Sequence, residues 1–140
     1  MKTIVYISKS TQPMHENQLL DILHSSRIHN AALNISGVLL YSEDTFIQLL
    51  EGRDAIINAL YSRILADERH TNIITLIDET TAEKSFGQWL MGFAVTDATK
   101  TEKLVGYLKS INELELGNKS NDAVLAIKAF IQSSGLDIQD

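Results

Sequence analysis

Two side chains on separate predicted strands, Tyr6 and Gln48, are the best candidates in this chain for chemistry through hydrogen bonds. Gln48 lies in a strand-like segment, residues 45–51, where alternate side chains share a face, so its amide points the same way as Phe46 and Leu50. Leaving a buried amide unpaired costs about 1–3 kcal/mol. We therefore expect a polar partner opposite Gln48, supplied by the protein, by water or by a ligand.

Tyr6 belongs to the first predicted strand, residues 3–8, and shares a face with Ile4 and Ser8. Its ring is expected in the core, with the hydroxyl in reach of a neighbouring polar group. Position alone leaves two interpretations open, a core tyrosine bound to a backbone carbonyl or a functional group. Gln48 alone is likewise either a structural hydrogen-bonding residue or a ligand contact.

Further candidates lie near the ends of predicted elements. Asn30 falls in a predicted connector, where asparagine is usually a turn residue. Arg69 and His70 follow a predicted helix, whose negative end is complemented by cations. Trp89 and Met91 are typical core-filling residues. Each of these residues has an ordinary structural explanation when it is taken alone.

Composition excludes several classes of function. The chain has 140 residues, 44% of them hydrophobic, and a net charge of −6, which suits one globular domain without a basic stripe for non-specific nucleic-acid binding. The absence of cysteine removes thiol chemistry and fits a reducing compartment. No apolar run approaches the length of a membrane span, and no signal peptide is visible. We expect a soluble, cytoplasmic protein that binds neither nucleic acid nor membrane.

Standard catalytic motifs are also missing from the sequence. The four histidines lack the paired spacing of a metal site, so we expect no metal. A nucleotide-binding glycine motif and a serine nucleophile elbow are absent as well. An acylphosphatase-like hydrolase needs a phosphate loop with glycine and arginine after the first strand, and residues 8–14 contain neither. We therefore expect no enzymatic activity.

The elements that position the candidates follow the order strand, helix, strand, strand, helix, strand, strand. The predicted strands are residues 3–8, 35–41, 45–51, 72–78 and 93–95, and the predicted helices are residues 15–26 and 53–66. Residues 27–34 are a predicted connector, residues 42–44 a hairpin loop, and residues 101–111 and 121–133 two C-terminal helices. Two helices on one face of a mixed sheet define an α+β, ferredoxin-like βαββαββ fold with a C-terminal helical extension.

Taken together, the candidate residues resemble, in order and spacing, the BLUF family of blue-light sensors using FAD. The resemblance covers about residues 2–97. It is carried by Tyr6, Ser26 with His29-Asn30, Phe46-x-Gln48-x-x-Glu51-Gly52, Asp67-x-Arg69-His70 and Phe86-x-x-Trp89-x-Met91. On this resemblance, residues 1–97 are a flavin-binding domain and residues 98–140 are its helical extension.

The resemblance implies FAD as the cofactor, held between the two helices with Tyr6 and Gln48 beside the N5 and C4-carbonyl region of its ring. It implies that Tyr6 donates an electron and then a proton through Gln48, whose amide ends rotated or tautomerised. Trp89 and Met91 belong to the same photoactive group. The implied cofactor-binding residues are Tyr6, Ser26, His29, Asn30, Phe46, Gln48, Arg69 and His70.

One departure from the family pattern is Leu49, which follows Gln48 where some members carry tryptophan. Trp89 is then the only indole near the expected site and a second candidate electron donor. With no effector domain attached, we expect output through a homo-oligomer or a separate protein partner. The alternative interpretation is a ferredoxin-like regulatory module, without photochemistry, that binds a small ligand or a protein.

Overall fold

The computed structural model describes residues 1–12, 14–87, 90–113 and 119–133. The strands are β1 (Lys2–Ser10), β2 (Ser36–Ser42), β3 (Thr45–Gly52), β4 (His70–Thr80) and β5 (Gly92–Val95). The helices are α1 (Glu16–Leu33), α2 (Asp54–Ala66), α3 (Ala98–Glu113) and α4 (Lys119–Ser133). The predicted α+β class and the C-terminal helices are confirmed.

The five strands form one mixed sheet in the order β4-β1-β3-β2-β5. β1 lies between β3 and β4 and is antiparallel to both, whereas β5 runs parallel to β2. The first four strands in this order give the ferredoxin-like arrangement. In the register of β1 and β3, Tyr6 is directly opposite Gln48. The two side chains therefore share a face of the sheet and lie within reach of each other.

Each face of the sheet is covered by its own pair of helices. On one face, Leu23 of α1 and Ile57 of α2 are buried in a cluster with Leu50 of β3. On the other face, Leu108 of α3 and Ile127 of α4 are buried in a second cluster. Because side chains alternate along a strand, β1 and β3 contribute to both clusters.

The connector predicted at residues 27–34 is wrong, because α1 continues to Leu33. Alanine and leucine, as at Ala31 and Leu33, favour helix. The helix ends where Asn34 adopts a left-handed backbone with φ of 55°. Asn30 is therefore held rigidly on a helix and is not a turn residue.

The β2–β3 connection is a tight turn through Glu43 and Asp44, one residue shorter than predicted. Both residues have positive φ, 41° and 70°, which matches the twist that joins two antiparallel strands in a short hairpin. The turn length fixes the strand register, and a slip of one residue would move Gln48 to the opposite face.

Candidate functional site

A cavity of about 410 Å³ lies between α1, α2 and the sheet. Apolar side chains from both helices, the sheet and the segment before α1 form much of its wall: Met14, Ile22, Leu39, Leu50, Leu60 and Ile64. Small-molecule sites have this size and this mostly apolar lining, with a few polar groups that fix orientation. The polar groups here come from β1, β3, α1, α2, the start of β4 and the residues that join α2 to β4.

Tyr6, Gln48 and Met91 form a line of contacts along the sheet side of this cavity. The Tyr6 hydroxyl donates a hydrogen bond to Gln48 Oε1, and Gln48 Nε2 lies 3.4 Å from Met91 Sδ, a weak acceptor. The three residues are buried, with 4%, 7% and 1% of their surfaces exposed. The polar partner expected for Gln48 is therefore Tyr6. Because an amide nitrogen carries two hydrogens, Gln48 can also donate to a ligand.

The Tyr6 hydroxyl is a neutral phenol at physiological pH. Burial raises the pKa of Tyr6 well above the ordinary tyrosine value, and nearby Tyr61 and Asp67 raise it further. The Tyr6 ring packs against the Tyr61 ring with centroids 5.5 Å apart. Since the phenol is closed off from solvent, its hydrogen-bond acceptor, Gln48 Oε1, is the group best placed to receive its proton.

α1 presents Ser26, His29 and Asn30 to the cavity, because residues three and four apart share a helix face. Asn30 is buried, and its Nδ2 donates to the Leu90 carbonyl at 2.6 Å. His29 Nε2 accepts a hydrogen bond from Arg63 of α2. A guanidinium can only donate, so the imidazole nitrogen is the acceptor in this contact, which joins the two helices beside the cavity.

Asp67 and Arg69, which follow α2, and His70, the first residue of β4, also line the cavity. Arg69 Nε lies 2.9 Å and 3.0 Å from the two Asp67 oxygens, and this hydrogen bonding lowers the pKa of Asp67. His70 Nε2 donates to the Ile64 carbonyl at 2.6 Å, and the Ser8 hydroxyl lies 2.8 Å from Nδ1. His70 thus caps the last turn of α2, and only its ring face is left for a ligand.

All of the residues that the sequence predicted to bind the cofactor line this one cavity: Tyr6, Ser26, His29, Asn30, Phe46, Gln48, Arg69 and His70. Met91 lines it too, whereas Trp89 lies outside the described residues. Arg63 also lines the cavity but was not among the residues predicted from the sequence. Its signal was its position three residues after Leu60, on the edge of the apolar face of α2.

The sequence matches the family described as BLUF, sensors of blue-light using FAD, over residues 1–92. This match covers more than half of the chain, which therefore belongs to the BLUF family and is a blue-light sensor that binds flavin. The resemblance found in the sequence is confirmed, and so is FAD as the expected cofactor.

Several known proteins are similar to this chain. The beta subunit of a photoactivated adenylate cyclase from Euglena longa is 36% identical over 103 residues, which cover 72% of this chain and 12% of that protein. The alpha subunit from Euglena gracilis is 34% identical over 93 residues, which cover 65% and 9%. The chain thus spans about a tenth of the length of these curated relatives.

Two solved structures extend the comparison to the fold. A bacterial light-regulated adenylyl cyclase is 35% identical with a TM-score of 0.64, and the match covers 79% of this chain and 32% of that one. The ground state of BlsA is 27% identical with a TM-score of 0.69, and the match covers 96% and 87%.

The residues of the cavity fit a flavin. A flavin ring has two apolar faces and an edge that carries both hydrogen-bond donors and acceptors. The cavity offers apolar walls from α1 and α2, together with the amides of Gln48 and Asn30, which can each donate and accept. Among the residues that the structure describes, no His, Asp or Glu side chains cluster as a metal would require. No helix in that part of the chain is long and apolar enough to cross a membrane.

Proposed function

We propose that Tyr6 is the electron and proton donor of the light reaction and that Gln48 is the group that switches. The observation that carries this proposal is the hydrogen bond from the Tyr6 hydroxyl to Gln48 Oε1 in the wall of the cavity. Bound FAD supplies the absorption of blue light and an excited state that takes an electron from a nearby donor. Tyr6 loses one electron and passes its hydroxyl proton to the oxygen that it already contacts. When the electron and the proton return, Tyr6 is a phenol again.

Gln48 is suited to switching because the two ends of its amide differ. Its oxygen accepts from Tyr6, and its nitrogen faces the sulfur of Met91. If the amide turns over, its nitrogen can still donate to the Tyr6 oxygen. Its own oxygen then faces a thioether, which has no hydrogen to donate. The turned amide is satisfied only if Met91 moves or another donor takes its place.

The other cavity residues are proposed to hold FAD. Asn30 uses Nδ2 for the Leu90 carbonyl, so its Oδ1 can accept from the ring edge, as the family resemblance implies. Phe46 and His70 present aromatic surface, and Ser26 and Arg69 add polar groups, as does His29 through its ring. These assignments are supported by the shared cavity.

The helices beyond the sensor are proposed to carry the output, with residues 1–97 as the flavin-binding domain and residues 98–140 as its extension. On α3 and α4, Tyr107 and Leu125 expose 57% and 64% of their surfaces. Exposed apolar side chains of this size suit contact with another protein. We propose a cytoplasmic sensor without catalytic activity of its own, which acts on a separate partner or through a second copy of itself.

The visible absorption spectrum of the purified protein tests this function. The purified chain should contain non-covalent FAD, since it has no cysteine for a thioether link, and blue light should cause a small red shift that reverts in darkness. FAD at ~100 times its Kd should stabilise the fold by about 2.7 kcal/mol. A colourless protein whose melting temperature does not rise with FAD would instead favour the regulatory module without photochemistry.

A further inference from the structure

Two side chains of α1 hold two consecutive backbone carbonyls beside the cavity, those of Leu90 and Met91. Arg27 donates to the Met91 carbonyl from Nε at 3.2 Å and from Nη2 at 3.0 Å. Asn30 donates to the Leu90 carbonyl at 2.6 Å. Arg27 and Asn30 are three residues apart, so they leave the helix on the same face. α1 therefore fixes the backbone of residues 90–91 through side chains.

This contact holds the backbone from which the Met91 side chain leaves. Met91 comes directly before β5, where Gly92 pairs with Val38 of β2. Its backbone is therefore held by the strand ladder on one side and by the Arg27 guanidinium at its own carbonyl. With the backbone held, the Met91 sulfur lies 3.4 Å from Gln48 Nε2. Arg27 thus acts on Gln48 through Met91.

Turning over the Gln48 amide removes the contact between its nitrogen and the Met91 sulfur. Its carbonyl oxygen would face the Met91 sulfur, which cannot donate a hydrogen bond. Relief requires another donor or a displacement of Met91, and a displacement that shifts its backbone stretches the two hydrogen bonds from Arg27. Bonds from a guanidinium are charge-assisted and stronger than those between neutral groups. The guanidinium therefore favours the orientation of Gln48 in which the nitrogen faces Met91.

We infer that Arg27 is a positioning residue of the light reaction, which holds the Met91 backbone in the dark arrangement and so drives the return of Gln48 after illumination. The inference rests on the proposed function of Tyr6 and Gln48. If the Arg27 bonds are released in the lit state and remade during recovery, weakening them raises the barrier to recovery. The lit state then lasts longer.

Recovery kinetics after a blue-light pulse test this inference, with flavin-loaded wild type compared with Arg27→Gln and Arg27→Lys. Arg27→Gln should keep the dark spectrum and the flavin content and slow the dark recovery by roughly three- to ten-fold, because part of a charged hydrogen bond is remade at the barrier. Arg27→Lys keeps the charge but cannot present two N–H groups as a fork, so its recovery should be intermediate. A purely structural role would change melting temperature and flavin content without ordering the three recovery rates.

Arg53→Gln is the matched control, because Arg53 is exposed at the start of α2 and does not line the cavity. The control should recover at the wild-type rate. The inference is overturned if both Arg27 variants recover at the wild-type rate, or if Arg53→Gln slows recovery equally. If Arg27→Gln does not fold, a wild-type rate in Arg27→Lys overturns it. If wild type itself shows no reversible shift, the proposed function fails first and this inference falls with it.

Discussion

The two faces of the sheet are built from alternate residues of the same strands, yet they have opposite characters. On β3, Gln48 faces the cavity beneath α1 and α2, while the adjacent Leu49 is buried in the apolar cluster under α3 and α4. The cavity face carries the Tyr6 phenol and the Gln48 amide beside an open cavity. The other face is packed mainly with apolar side chains, including Leu108, Ile127 and Phe86, and also buries Glu51. Strand alternation therefore places the polar candidate residues on one face of the sheet and the apolar cluster under α3 and α4 on the other.

Side chains from both faces of β3 contact the segment that precedes β5. Glu51 lies three residues after Gln48 on β3, hence on the opposite face, and its carboxylate accepts hydrogen bonds from the backbone N–H groups of Ser85 and Phe86. Gln48 contacts Met91 at the other end of the same segment. β3 therefore contacts both ends of residues 85–91, one from each face of the sheet.

The largest effect on stability should come from the apolar face. Leu108 of α3 is fully buried, and Leu108→Ala should lower the free energy of unfolding by about 2–5 kcal/mol through lost burial and a cavity. The light-induced shift per bound flavin should stay at the wild-type size. Denaturant unfolding and a difference spectrum measure the two quantities. Leu125→Ala, at an exposed site on α4, is the control, and a loss of the shift in Leu108→Ala would show that the faces are coupled.

Glu51→Gln should lower the free energy of unfolding by less than Leu108→Ala does. Glutamine has one acceptor oxygen where glutamate has two, so one of the amides of Ser85 and Phe86 loses its partner, at a cost of about 1–3 kcal/mol. Denaturant unfolding should show this loss, with Glu113→Gln, which is exposed at the end of α3, as the charge-matched control. Equal stability of the two variants would mean that Glu51 does not hold this segment.

Tyr6→Phe should cost no more stability than Glu51→Gln and be severe for function. The ring still packs against Tyr61, but the buried Gln48 Oε1 loses its hydrogen-bond donor, at a cost of about 1–3 kcal/mol. FAD should stay bound, while the reversible red shift disappears, because the phenolic donor is gone. Tyr107→Phe at an exposed site is the control. A full shift at normal yield in Tyr6→Phe would make Trp89 the next candidate donor.

The smallest effect should be the acid dependence of the Asp67–Arg69 ion pair. The Arg69 guanidinium lowers the pKa of Asp67 in the folded state, so the stabilisation is present above the unfolded pKa and is lost as pH falls through the lower folded pKa. Arg69 is 60% exposed, and such pairs contribute only about 0–1 kcal/mol. Unfolding free energies of wild type and Asp67→Asn should converge below about pH 4. A difference that grows as pH falls would contradict this sign.

Sequence patterns predicted the order of the elements and the side of the sheet on which Tyr6 and Gln48 lie, because strand alternation is a local property. They failed at the second half of α1. This part of the helix carries polar side chains that form tertiary hydrogen bonds: Arg27 and Asn30 donate to the backbone carbonyls of residues 91 and 90, and His29 contacts Arg63 of α2. Without those distant partners, the polar pattern is typical of a loop. Arg27 could not be found as a candidate because its partner is 64 residues away.

The illuminated-minus-dark difference spectrum of flavin-loaded Gln48→Leu tests the central claim most directly. Leucine keeps a similar volume on the strand but removes both the acceptor for Tyr6 and the nitrogen that faces Met91. The variant should fold, retain FAD, have a slightly shifted dark absorption spectrum and show no reversible red shift. A reversible shift of wild-type size would mean that rearrangement of the Gln48 amide is not how this protein responds to light.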